Sequence, residues 1–155
     1  MKYFIDTEFI EDGKMIDLIS IGIVDEQGRE FYCIRNGFDG SKANQWVTDN
    51  VLNKLDMNSP RFTTPEIVDR LFVFLAGDKE PEFWGYYADY DWVVFCQLFG
   101  PMMDLPKGFP MYCRDIKQLC DYLGNPKLPE QGEGEHNALE DARWNKKAYE
   151  FLTKP

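Results

Sequence analysis

Five residues in three separated stretches carry side chains that could do chemistry together: Asp6 and Glu8 near the start, Asp91 after a run of aromatics, and His136 five positions before Asp141. On a strand, residues two apart share a face, so Asp6 and Glu8 project side by side while Ile5, Thr7 and Phe9 point the other way. Two carboxylates held together among apolar neighbours repel each other, and desolvation adds to the cost. A bound divalent cation reverses that balance. On an exposed edge strand the same Asp-x-Glu pattern would be two solvated acids, and the pattern alone does not separate the two readings.

The middle stretch, Trp84-Gly85-Tyr86-Tyr87-Ala88-Asp89-Tyr90-Asp91-Trp92, reads as a strand running into a helix start. Asp89 is placed to cap that helix and Asp91 to sit in its first turn. Helix capping and dipole complementarity would account for both acids without any chemistry. In the last stretch, Asn137 with Glu140 three residues on forms a variant capping box, so a helix begins near Ala138. His136 then lies on a glycine-containing approach (Gly132, Gly134) and Asp141 on the first turn. Such a division suits a base that must meet water and an acid that must hold a metal.

The elements around these residues follow from periodicity and turn signals. Strands are expected at 2–10, 15–24 and 29–35, joined by short connections as an antiparallel meander. Helices are expected at 42–55 and from Thr64 to Gly77, with Pro65 and Glu66 opening the second. A strand at 82–87, a helix at 91–99, a strand at 110–113 and a helix at 115–123 follow, then a Pro/Gly/Glu loop and a last helix to about 152. The order predicts an α/β fold: a mixed five-stranded sheet with helices on both faces, the ribonuclease H-like layout, in one domain spanning 1–155.

Taken together, the three stretches resemble the motifs of DEDDh 3′-5′ exonucleases. These are Asp-x-Glu on the first strand, an aromatic-Asp pair at a helix start, and His-x(4)-Asp at the last helix. Tyr90-Asp91 fits the aromatic-Asp element, so the resemblance gives the metal role to Asp91 and not Asp89. Further segments (Tyr3 to Ile10, Ile16 to Gly22, Cys96 to Met102, His136 to Arg143) resemble the RNase AS-like subfamily of small 3′-exoribonucleases that prefer adenylate-rich ends.

The resemblance implies that Asp6, Glu8, Asp91 and Asp141 bind two Mg²⁺ or Mn²⁺ ions, ligands of the hard oxygen type such ions prefer. His136 would be the general base. The substrate would be the 3′ end of single-stranded RNA, released as nucleoside 5′-monophosphates. Phe9 or Trp92, each following an acid, would offer a stacking face to the terminal base. Glu8 or a backbone group near Thr7 would read the 2′-hydroxyl. The subfamily also implies a homodimer, and the aromatic content of 15% would allow an apolar interface.

Charge and cysteines narrow the remaining classes. The net charge of −10 argues against a long basic groove and so against a tight duplex binder. Two divalent ions would bring about four positive charges to the place where phosphate sits. Cys33, Cys96, Cys113 and Cys120 show no zinc-ligand spacing and read as free thiols of a reducing compartment. No apolar run is long enough for a membrane span, and the opening residues do not read as a signal peptide, so a cytoplasmic protein is expected. The alternatives are another DEDDh activity (oligoribonuclease or DNA proofreading), a catalytically silent nucleic-acid-binding module of the same fold, or a structural cation site.

Overall fold

The computed structural model describes residues 1–154. Six strands form one sheet in the order β4-β3-β2-β1-β5-β6. β1 (Lys2–Glu11), β2 (Ile16–Asp25) and β3 (Glu30–Arg35) make the expected antiparallel meander. β5 (Glu82–Gly85) and β6 (Arg114–Asp115) extend it in parallel beside β1, and β4 (Arg61–Phe62) pairs in parallel with β3. The helices are α1 (Gln45–Asn50), α2 (Thr64–Phe74), α3 (Asp89–Gln97), α4 (Ile116–Tyr122) and α5 (Ala138–Thr153). This is the ribonuclease H-like arrangement, with one strand more than expected because the two residues of β4 close the β3 edge ahead of α2.

Alternation along the first residues of β1 sorts two of the three apolar clusters. Tyr3 and Ile5 join Ile21, Ile23, Ile67, Leu71, Phe83 and Phe95 under α2 and α3. Phe4 faces the other way and packs with Ile116 of α4 and Ala148 of α5. Asp6 and Glu8 continue the Phe4 face, so the pleat that buries Phe4 also aims both acids toward α5.

Local chemistry sets the helix starts. α2 has the full capping box, Thr63 with Glu66, and a proline in its first turn. Three expectations shift. The helix expected at 42–55 is broken into α1 and a 3-10 turn at Leu52–Lys54, where the Asn50 amide donates to the Trp46 carbonyl at 2.9 Å in competition with the backbone ladder. The strand expected at 110–113 lies at β6 instead, since Pro110 has no N–H for a ladder. Asp89 does not cap α3; the cap residue is Ala88, whose N–H donates to Asp115 Oδ2 at 2.8 Å, while Asp115 Oδ1 accepts from Gln118 N–H to cap α4. One carboxylate thus ties the starts of two helices. Among the described residues no helix is long and apolar enough to cross a membrane.

Candidate active site

Three elements meet at the carboxyl end of β1. β1 supplies Asp6 and Glu8, the first turn of α3 supplies Asp91, and the first turn of α5 supplies Asp141. The approach of α5 depends on Gly22, which pairs with Asp6 across the sheet. A Cβ at Gly22 would fall inside the van der Waals envelope of the Ala138 carbonyl and the Leu139 nitrogen. The bare backbone lets α5 begin directly over the strand, which brings Asp141 beside the β1 acids. Asn137 caps that start by accepting from Leu139 and Glu140 N–H groups at 3.1 and 3.2 Å. The return half of the expected box is absent, because Glu140 pairs with Arg143 instead.

The acids line a cavity of about 400 Å³ together with Thr7, Phe9, Tyr86, Tyr87, Gln131, Glu135, His136, Trp144 and Asn145. Within it, Glu8, His136 and Asp141 converge most closely: one ligating atom from each lies within 4.8 Å of the others. Asp6 and Asp91 stand in the same wall, outside this tightest group. A larger cavity of about 630 Å³ between β3 and α2 is lined by Phe31, Phe62 and Phe74 with scattered charges, and brings no such group together.

Electrostatics mark this wall as unusual. Burial first, then repulsion from Asp91, Asp141 and Glu8, pushes the Asp6 carboxyl well above the ordinary carboxylate range. Burial and the charges of Asp141 and Asp91 push Glu8 up to about 8, with Lys54 pulling weakly the other way. Burial raises Asp91 to about 6 although two hydrogen bonds from Thr7 oppose it. Burial likewise raises Asp141 to about 6 against the His136 backbone N–H, the imidazole and Gln131. Four carboxyls that burial and neighbouring negative charge raise above the ordinary carboxylate range form a donor set lacking its counter-charge. Hard divalent cations fit that set: oxygen donors, excess negative charge and partial burial.

The other expected residues divide. Phe9 lines the cavity, half-buried, with its ring 5.9 Å from that of Tyr90. Trp92 does not reach it: its indole is buried between Phe83 and Phe95 in the core under α3, because the side chain leaves the helix on the sheet side. Thr7 donates both its N–H and its hydroxyl to Asp91 Oδ1 and so has neither left for a sugar. Asp89 is exposed and lies outside the cavity wall.

Some wall residues escaped sequence reasoning. Asn145 sits four residues beyond Asp141 on the same helix face, a spacing that could have found it, and its amide donates to the Ile5 carbonyl at 2.9 Å. Gln131 donates to Asp141 Oδ1 from a loop with no local signal. Tyr86 and Tyr87 form an edge-to-face pair at the mouth, Tyr87 with a backbone φ of +53°.

A family model described as the 3′-5′ exoribonuclease Rv2179c-like domain matches residues 1–153. Two curated relatives from strains of Mycobacterium tuberculosis, named 3′-5′ exoribonuclease MT2234.1 and 3′-5′ exoribonuclease Rv2179c, are each 40% identical over 157 residues, covering 99% of this chain and 94% of the relative. The solved structure of cell-death related nuclease 4 (CRN-4) superposes with a TM-score of 0.51 at 13% identity. That match covers 97% of this chain and 62% of the nuclease, and it speaks for the fold alone.

Proposed function

Since the chain belongs to the Rv2179c-like family of 3′-5′ exoribonuclease domains, we propose that it shortens single-stranded RNA from the 3′ end, prefers adenylate-rich ends and releases nucleoside 5′-monophosphates. The observation that carries this reading is the convergence of Glu8, His136 and Asp141 in one cavity with Asp6 and Asp91. Asp6, Glu8, Asp91 and Asp141 would hold two Mg²⁺ (or Mn²⁺) ions, the charge their mutual repulsion calls for. When bound, such ions make a coordinated water more acidic and offset the charge of the reacting phosphate.

The chain's own groups supply the rest. The His136 imidazole accepts the proton of the attacking water at a ring nitrogen, within reach of the Glu8 and Asp141 carboxylates. Water adds to phosphorus, and the bond from phosphorus to the O3′ of the preceding nucleotide breaks. The phosphate stays on O5′ of the released nucleotide, and the departing O3′ takes a proton from solvent, which leaves the shortened RNA with a free 3′-hydroxyl. Phe9 stacks the terminal base, and Glu8 takes the 2′-hydroxyl contact that Thr7 cannot make. Thr7 and Asn145 hold the frame, one on Asp91 and the other on the β1 backbone.

The adenylate preference rests on the likeness of the three acid motifs and their flanks to RNase AS-like enzymes. The chain acts as one domain in the cytoplasm, in keeping with four free cysteines, and pairs as a homodimer. Shortening of A-tailed RNA, mixed-sequence RNA and single-stranded DNA, compared side by side, tests the substrate. The expected order is A-tailed RNA first and DNA last. Equal rates on the two RNAs would remove the adenylate preference, and faster DNA trimming would favour a proofreading-type enzyme.

A further inference from the structure

We infer that Trp46 is a positioning residue for His136, holding the imidazole in the direction that faces the acid cluster. The inference rests on the role proposed above for His136.

His136 is pinned through its backbone and not through its ring. It stands at φ +69°, in the left-handed region that non-glycine residues rarely occupy, and its N–H donates to Asp141 Oδ2 at 3.0 Å. Among the described residues the imidazole itself makes no hydrogen bond. An unbonded ring on a loop can turn about both side-chain torsions, and most orientations carry its nitrogens away from Glu8 and Asp141. The Trp46 indole lies against it, with ring centroids 4.8 Å apart and planes at 77°, an edge-to-face contact. That contact limits the turn.

The indole is in turn fixed relative to the acids. α1 is capped by Asn44, whose side chain accepts from Val47 N–H at 2.8 Å. Val47, Val51, Leu52 and Leu55 seat the segment on Ile10 of β1 and Ile19 of β2. β1 is the strand that carries Asp6 and Glu8, so the imidazole is held by a rigid arm referenced to the carboxylates it must work beside. Trp46 itself is 54% exposed. It therefore adds little to the core, and its removal leaves the seat of α1 intact.

The test uses Trp46→Ala and Trp46→Phe in the full chain with Mg²⁺. His136 is the one histidine in the sequence, so its Hδ2 and Hε1 proton resonances are unambiguous. Trp46→Ala should move them toward the values of a free imidazole, and Trp46→Phe should keep most of the ring-current displacement. On A-tailed RNA, Trp46→Ala should lower kcat by ~10–100-fold with KM held, within the range a displaced or lost general base allows. Trp46→Phe should restore most of the rate. In a His136→Ala background, Trp46→Ala should cost nothing further. Unmoved histidine resonances overturn the inference. So does a raised KM with kcat intact, which would make Trp46 a base-stacking surface, and so does an equal loss in the His136→Ala background. A wild type without RNA-trimming activity would refute the exoribonuclease reading instead, and NOEs from the His136 ring protons to the Glu8 and Asp141 side chains, present in wild type and lost in Trp46→Ala, would then decide whether Trp46 holds the ring.

Discussion

Thr7 and Asp91, 84 residues apart in sequence, are joined twice: the Thr7 N–H donates to Asp91 Oδ1 at 2.8 Å, and its hydroxyl donates to the same oxygen. Thr7 points to the α3 side of β1 while its neighbours Asp6 and Glu8 point to the α5 side. A single residue of β1 thereby sets the distance between the acid of α3 and those of the strand. Thr7→Val keeps the N–H bond and loses the hydroxyl in a buried place. It should destabilise the protein by about 0.5–1.5 kcal/mol in urea unfolding and lower kcat by roughly tenfold through loss of alignment. Thr7→Ser should recover both. A Val variant with full activity would detach Thr7 from the site.

The acid cluster gives the metal-free protein a definite pH response. Asp6, Glu8, Asp91 and Asp141 all have folded-state pKa values above the unfolded ones. Between those values the native state binds more protons than the unfolded chain, so stability falls as pH rises. The window opens at the ordinary carboxylate range near 4 and runs through about 6 for Asp91 and Asp141 to about 8 for Glu8. In chelator, Tm should therefore drop from pH 5 to pH 8, Asp6→Asn should flatten that slope, and Mg²⁺ added at pH 8 should raise Tm. A wild-type Tm in chelator that climbs with pH over this range contradicts the assignment.

Gly22 lets α5 reach the strand, and the geometry leaves no room for a methyl group there. Gly22→Ala should cost about 1–3 kcal/mol by overpacking. Because the displaced element carries Asp141, activity should fall more than stability explains at a temperature where the variant is folded. Thermal melts paired with initial rates check this, and a stable variant with normal rates would refute the tight approach of α5.

His136→Ala should lower the rate on RNA by about 10²–10⁴-fold, the usual cost of a general base. EDTA should abolish activity and Mg²⁺ or Mn²⁺ should restore it. Full turnover in EDTA would exclude the cation reading of the four acids.

Much of this site could be read along the chain because strand alternation and helix caps are local. Asp6 and Glu8 share a face by the pleat, and Asn137 marks the start of α5, so His136 and Asp141 fell into place. The five-strand sheet missed β4, a pair of residues too short to leave a periodic signal. What escaped depends on distant packing. Trp46 lies inside the helix expected at 42–55 with nothing local to mark it out, yet the buried face there is completed by Val47 and Val51, which leaves the indole free to meet His136. Trp92 read as a stacking surface because it follows Asp91, and only the position of Phe83 and Phe95 shows that it is buried. Asp89 read as the cap of α3, but the cap position falls on Ala88, whose N–H is bonded by the distant Asp115.

The most direct measurement is mass analysis of the products from a 3′-A-tailed RNA incubated with Mg²⁺ and either wild type or Asp6→Ala. The account predicts adenosine 5′-monophosphate and a ladder of RNAs shortened from the 3′ end with wild type, and intact RNA with the variant. Nucleoside 3′-phosphates, internal cleavage, or equal trimming by Asp6→Ala would contradict it.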